Sequence, residues 1–358
     1  MKLTVDCTLT DELTSLQNAE GLQASSLAFL LSRAKLKQVD LPLEALVCEQ
    51  HGLRATPDYP IAAIAVLADE LDDAPQLNDG YWLRADPVHL VLQRDCFSLG
   101  EPIPLAVDAE HAKDLIKSLN QHFAQDGMTF LIGKPDLIGK SGAWYLHTND
   151  EVHIKTTLPF LAAGKNVHQF MPQGEHAAKW LTVLNEAQML LHEHPANVAR
   201  ESNRELAINS IWLSGGGKMS ASRLAKNAIV KNTVPENSVD LVIASSVFYQ
   251  GLAAVVSSDY LVRPIQPDDI LQHIEAQKIK HVRLQLPQLN NLDHLWFKAI
   301  LAAVRHKKIK QLTLNLGFYE KTLIAEIAPF DLYKFWRKTR PVVHYLKEST
   351  QFNMIKPL

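Results

Sequence analysis

Residues 185–219 read NEAQMLLHEHPANVARESNRELAINSIWLSGGGKM. With Trp180 and Leu184 just upstream, Ala187 and Leu191 recur at helical intervals, which predicts one helix with an apolar stripe turned to a core. Asn185, Gln188 and His192 share a neighbouring stripe of that helix. A core-facing helix with aligned amides and an imidazole either lines something polar or caps a neighbour. Pro195 closes the helix, because the residue before a proline avoids the α region. Asn197, Arg200, Glu201 and Arg204 then fall at helical spacing on a short second helix. Ile208 to Leu213 is apolar and partly β-branched, which predicts a buried strand.

Gly215, Gly216, Gly217 and Lys218 follow that strand at once. Glycines let backbone N–H groups approach an anion closely, and a lysine neutralises its charge. The plainer reading is a tight exit from a strand. A phosphate-binding P-loop is excluded, because Trp212 stands where that motif requires its first glycine.

Outward from this stretch, apolar segments alternate between strand and helix patterns. Residues 2–6 read as a strand, 27–36 as a buried helix, and 61–68 as either. Tyr81 to Leu90 reads as a strand, with Arg84 and Asp86 on one face. With His89 they form a candidate anion-reading cluster, since arginine presents a planar fork to phosphate or carboxylate. The alternative is an Arg84–Asp86 ion pair beside a core histidine. From Asp108 a helix turns Ala112, Leu115, Ile116, Leu119 and Phe123 inward, and strands at 128–132 and 143–147 follow. This block, 101–154, is expected to be a small inserted α+β lobe in a core formed by 1–100 and 155–358. Further strands are expected at 239–244, 281–286 and 309–316, with helices at 248–256 and 292–306, while 221–236 reads as loop. Strands separated by helices predict a doubly wound, mostly parallel α/β sheet.

The 358 residues suffice for one large or two ordinary domains. A net charge of -3 gives no electrostatic footprint for nucleic acid. No apolar run reaches the roughly 18 residues of a membrane span, and the N-terminus lacks an apolar signal core. Cys7, Cys48 and Cys96 are odd in number and widely spaced, which fits a reducing, bacterial-type cytoplasm. The tail FDLYKFWRKTR (330–340) interleaves aromatic and basic residues, a nucleic-acid pattern. The overall charge favours instead a terminal segment docked by its aromatics.

Three segments, WLRADPVHL (82–90), NEAQMLLHEHPANVAR (185–200) and INSIWLSGGG (208–217), resemble the RpfE-type regulatory proteins of bacteria, and FWRK (335–338) fits the same family. HPANVAR followed by INSIWLSGGGK also resembles the HPVN…R…AN-IWLWGQGK segment of archaeal-type cofactor-independent phosphoglycerate mutases. That resemblance implies an alkaline-phosphatase-like fold. It also implies a serine nucleophile between two divalent metals, which stabilise the attacking and leaving oxygens. The departures are specific. Asp6 stands in for the first metal-binding aspartate, but Cys7 follows where the mutases have glycine. No Gly-Ser helix start occurs in the first hundred residues, and Asp293-His294 replaces an Asp-x-x-x-His pattern.

The resulting expectation is a non-catalytic or regulatory relative of these mutases, without cofactor, metal, nucleic acid or membrane. It would bind an anionic or phosphorylated small molecule, or a protein partner, through Arg84, Asp86, His89, His194, Asn197, Arg200, Asn209, Trp212, Gly215, Gly216 and Lys218. The alternative is a metal-dependent phosphomutase or phosphatase whose altered site unites Asp6, Asp293 and His294. A third reading is architectural: the polar residues only fasten helices together.

Overall fold

The computed structural model describes residues 1–9, 25–71, 80–135, 139–218, 238–263, 267, 279–286, 293–318 and 320–351. The expected loop at 221–236 lies outside them. In chain order the strands are β1 Lys2–Thr8, β2 Lys35–Val39, β3 Tyr81–Val88, β4 Leu90–Leu92, β5 Phe97–Leu99, β6 Met128–Ile132, β7 Trp144–Thr148, β8 Ser210–Gly217, β9 Leu241–Ala244, β10 Asp259–Val262, β11 His281–Leu286, β12 Gln311–Phe318 and β13 Lys321–Ile327. The helices used below are α1 Ser25–Arg33, α2 Leu43–Gln50, α3 Ile61–Val66, α4 Ala109–Phe123, α5 Pro159–Ala162, α6 Ala177–His192, α7 Pro195–Ser202, α8 Val247–Val256, α9 Lys298–Arg305 and α10 Val342–Gln351. The chain divides into two compact units, Met1–Val47 with Val230–Leu358, and Cys48–Ile229.

The first unit is mixed α/β around a sheet in the order β10-β9-β11-β1-β12-β13-β2. The five strands from β10 to β12 run parallel, as connections through helices require. Only β13 reverses, pairing antiparallel with β12 and β2. Side chains alternate along β1: Leu3, Val5 and Cys7 join the core formed with Leu30 and Leu31 of α1 and Ile300 and Val304 of α9. Thr4 and Asp6 therefore belong to the opposite face of the sheet. The expected helix at 292–306 begins with a single π turn, Asp293–Phe297. The added residue shifts the helical phase, so Trp296 and Phe297 are buried and Leu295 is exposed.

In the second unit the antiparallel order β6-β7-β3-β8 carries α4 and α6 on one face. Leu115, Leu119 and Phe123 share this core with Trp180, Leu184, Ala187 and Leu191, the stripe read from the sequence. The boundary expected at 101–154 is corrected here. Residues 128–148 supply β6 and β7, and β7 hydrogen-bonds to β3, so the lobe is one part of the larger unit 48–229. Residues 61–68, open between strand and helix, form α3.

The glycines differ from expectation too. They lie inside β8 rather than beyond it. From Trp82↔Gly217 to Arg84↔Ser214, β8 carries one residue more than β3, a bulge. Gly215 sits there at φ +62°, the left-handed region.

Candidate functional site

The residues singled out around β3 and β8 are brought together, but they spend their polar groups on the protein itself. Arg84 pairs with Asp86, its neighbour on the same face of β3, and its guanidinium lies 5.4 Å from the Tyr145 ring centroid. His89 Nδ1 lies 2.7 Å from the Ala207 carbonyl. Asn209 spans the backbone of Leu90 in both directions: its Oδ1 accepts from the N–H at 2.7 Å and its Nδ2 donates to the carbonyl at 2.8 Å. Trp212 is buried and donates from Nε1 to the Thr157 carbonyl at 2.8 Å. The expected anion-reading cluster is thus an ion pair and a set of strand fasteners.

The motif HPANVAR behaves likewise. His194 is the N-cap of α7, its Nδ1 accepting from the Ala196 N–H at 3.2 Å. That places the ring proton on Nε2, which donates to Ser118 Oγ at 2.9 Å. Burial holds the imidazole below its ordinary pKa, against the raising influence of Asp114. Asn197, 1% exposed, donates to the carbonyls of Leu191 and Ile208 at 2.7 and 2.8 Å and accepts from the Ile208 N–H at 2.8 Å. It ties the end of α6 to the entry of β8. Arg200 donates from Nε to the Leu206 carbonyl at 2.9 Å and pairs with Glu205 at 3.1 Å. Of the second stripe on α6, His192 is exposed, whereas Asn185 and Gln188 border a small cavity with Leu90, Met171, Trp212 and Leu213. Among the described residues, no cation lines that cavity.

The glycine run does meet an anion, and the anion is internal. Asp58, buried, accepts from the N–H of Tyr59 at 3.1 Å and of Thr156 at 3.0 Å, from the Thr156 hydroxyl, and from the backbone of Gly216. Thr156 Oγ1 in turn accepts from the Gly215 N–H at 3.0 Å. Burial nevertheless raises the Asp58 pKa. Space at the glycines is closed as well. A Cβ on Gly217 would lie 2.6 Å from Pro60 Cα, and one on Gly216 would lie 2.6 Å from the Tyr81 hydroxyl. Lys218 is exposed and forms no part of this cradle. Asp58 and Thr156 are remote from the motif in the chain, and no local pattern marks them.

In the first unit the residue to follow is Asp6, fully buried on β1. Arg283 of β11 donates from Nε to its Oδ2 and from Nη2 to its Oδ1 at 3.0 Å. Asn315, directly opposite on β12, donates to Oδ1 at 2.7 Å. Glu44 of α2 and Tyr249 of α8 are close enough to feel the Asp6 charge. Burial first, then Asp6, pushes the Tyr249 phenol well up, and the same two influences raise the Glu44 carboxyl.

A two-metal centre needs carboxylate lone pairs and an excess of negative charge. Both Asp6 oxygens already accept from a cation, so the described residues around Asp6 do not fit such a centre. Among the described residues, no group of three His, Cys, Asp or Glu is placed to hold a metal ion. The side chains of Asp293 and His294 lie outside the described residues. None of the three cysteines forms a disulfide, and burial, then Asp6, pushes the Cys7 thiol up to about 12. No described helix is long and apolar enough to cross a membrane.

No protein-family model matches the chain. Over 88 residues it is 31% identical to a probable 2,3-bisphosphoglycerate-independent phosphoglycerate mutase of Geobacter sulfurreducens, a stretch that makes up 24% of this chain and 22% of that one. The sequence relation to these mutases is therefore local, and the match spans about a fifth of the relative's length. Among solved structures, the chain aligns with the cofactor-independent phosphoglycerate mutase from Thermoplasma acidophilum DSM 1728 at a TM-score of 0.38 and 15% identity, over 91% of this chain and 89% of the other. It aligns with the PH0037 protein from Pyrococcus horikoshii at 0.46 and 13%, over 91% and 87%.

Proposed function

We propose that this chain is a non-catalytic relative of the cofactor-independent phosphoglycerate mutases, with an alkaline-phosphatase-like sheet and a regulatory role of the RpfE type. It acts by binding a partner rather than by moving a phosphoryl group. One observation carries the reading: the carboxylate that the mutase resemblance offers to the first metal, Asp6, is paired with the Arg283 guanidinium and hydrogen-bonded by Asn315. A guanidinium supplies there the positive charge that a divalent ion supplies in a metalloenzyme, but it has no vacant coordination position with which to polarise a phosphate.

The internal saturation of Asn197, Arg200, Asn209 and the glycine run weighs against a small anion bound at the HPANVAR and IWLSGGGK motifs. A surface-bound partner fits these observations better than a pocketed metabolite. The test is a mutase assay with phosphoglycerate and a phosphatase assay with p-nitrophenyl phosphate, each on the full chain with Mn²⁺, Mg²⁺ or Zn²⁺. No turnover above buffer is expected. Turnover that disappears in Asp6→Asn would overturn the proposal.

A further inference from the structure

The segment at 330–340 departs from its sequence expectation. Its aromatics do not dock: Phe330 is 80% exposed, Tyr333 68%, Phe335 86% and Trp336 67%. The core below is reached instead by Leu332, Val342, Tyr345 and Leu346. The segment itself is pinned by polar contacts. Arg33 donates to the Arg337 carbonyl, Arg337 Nη1 donates to the Ala34 carbonyl at 2.8 Å, and the Arg340 N–H donates to the Tyr345 hydroxyl at 3.0 Å. Asp331 accepts from the Ala328 N–H at 2.7 Å and pairs with Lys334, and Phe335 and Arg337 close turns onto the carbonyls of Tyr333 and Lys334. Four rings are thus held out to solvent on an anchored backbone. Exposing so much contiguous aromatic surface to water forgoes its burial, which marks an interaction site.

The charge around the rings identifies the partner's chemistry. Residues 330–340 carry Lys334, Arg337, Lys338 and Arg340 against Asp331 alone, a local net of +3 in a chain of net -3. Lys307 adds its ammonium 6.0 Å from the Phe330 ring centroid. The negative total does not cancel this patch, because fields are screened within about 8 Å at physiological salt. Every strongly exposed apolar group in the segment is aromatic, and its one aliphatic residue, Leu332, is turned to the core. A membrane-inserting face is built with aliphatic side chains as well. Ring faces interleaved with cations match instead a polymer that alternates flat bases with phosphates.

We infer that the 330–340 segment binds single-stranded nucleic acid, its exposed rings stacking on bases and its cations meeting phosphates. This surface is independent of the Asp6 site and of the mutase relation.

Fluorescence anisotropy of a fluorescein-labelled uridine dodecamer, titrated with the full chain at low and at physiological salt, tests it. Saturable binding that weakens with salt is expected. The double variant Phe335→Ala/Trp336→Ala should bind at least about tenfold more weakly, as the loss of one or two stacked bases implies. Because both rings are exposed, its thermal melting should match that of the parent. Lys338→Glu should weaken binding and flatten the salt dependence. Absence of binding at low salt overturns the inference, as does binding indifferent to the double variant. In a parallel arm, ring-dependent sedimentation with phosphatidylcholine–phosphatidylserine vesicles, without uridine binding, would overturn it in favour of a membrane surface.

Discussion

Arg283 closes on Asp6 through two donors, Nε to Oδ2 and Nη2 to Oδ1, and both side chains are at most 3% exposed. The pair joins neighbouring parallel strands, with Arg283 opposite Thr4 and Asp6 opposite Gln285. Breaking a buried pair by removing one partner costs more than the pair contributes, because the other charge is stranded. Arg283→Met should therefore destabilise the chain by roughly 3–5 kcal/mol in urea unfolding. Arg283→Met with Asp6→Leu should recover most of that loss. A single variant within experimental error of the parent would show that the guanidinium does not neutralise Asp6.

Asn197 is a fastener that requires both halves of its amide. Asn197→Asp keeps the shape but turns a charged acceptor toward the carbonyls of Leu191 and Ile208. At neutral pH it should cost at least about 1–3 kcal/mol, the penalty for leaving buried polar groups unsatisfied. Urea midpoints measure this. A neutral effect would reopen the possibility that Asn197 serves a ligand.

His194 sets a pH dependence. Its folded pKa lies below the ordinary 6.5, because burial opposes the charge. In the window below 6.5 the unfolded chain therefore binds more protons than the folded one, and stability rises with pH. The contribution is complete above the ordinary value and is lost as pH falls through the folded pKa. Protonation would place a second N–H against that of Ala196 and remove the cap. The stability difference between the parent and His194→Ala should shrink on acidification from pH 7, as followed by unfolding at several pH values. A difference that grows would reverse the assignment of Nδ1 as acceptor.

At the glycine run, packing and charge make opposite predictions. Gly217→Ala presses a methyl against Pro60, whose Cα would lie 2.6 Å away, and should cost about 1–3 kcal/mol. Lys218→Ala, at an exposed position, should leave stability within about 0.5 kcal/mol of the parent. Phosphate should raise the melting temperature of parent and Lys218→Ala equally. Selective stabilisation of the parent would restore the anion site.

Much of the architecture is legible in the residues. The period of the apolar stripe predicts α6, and the short β-branched runs predict β1, β9, β11 and β12. Long-range choices are not legible. Nothing local tells β7 to pair with β3, so the boundary at 101–154 fell in the wrong place. Residue chemistry alone also leaves HPANVAR open. Asparagine and arginine suit an anion as well as they suit carbonyls, and in the fold Asn197 and Arg200 meet carbonyls. Asp6, Arg283 and Asn315 left a weak signal: polar residues within strands expected to be covered on both faces must find one another. The tail misled for another reason: its aromatics are expected to dock, yet polar contacts anchor its backbone and leave Phe330, Tyr333, Phe335 and Trp336 exposed.

Titration of Mn²⁺ into the full chain by calorimetry, beside Asp6→Asn and Arg283→Met, tests the central claim most directly. If Arg283 supplies the charge that neutralises Asp6, the parent takes up no Mn²⁺ that depends on Asp6. Two equivalents bound per chain, with binding abolished in Asp6→Asn, would contradict it.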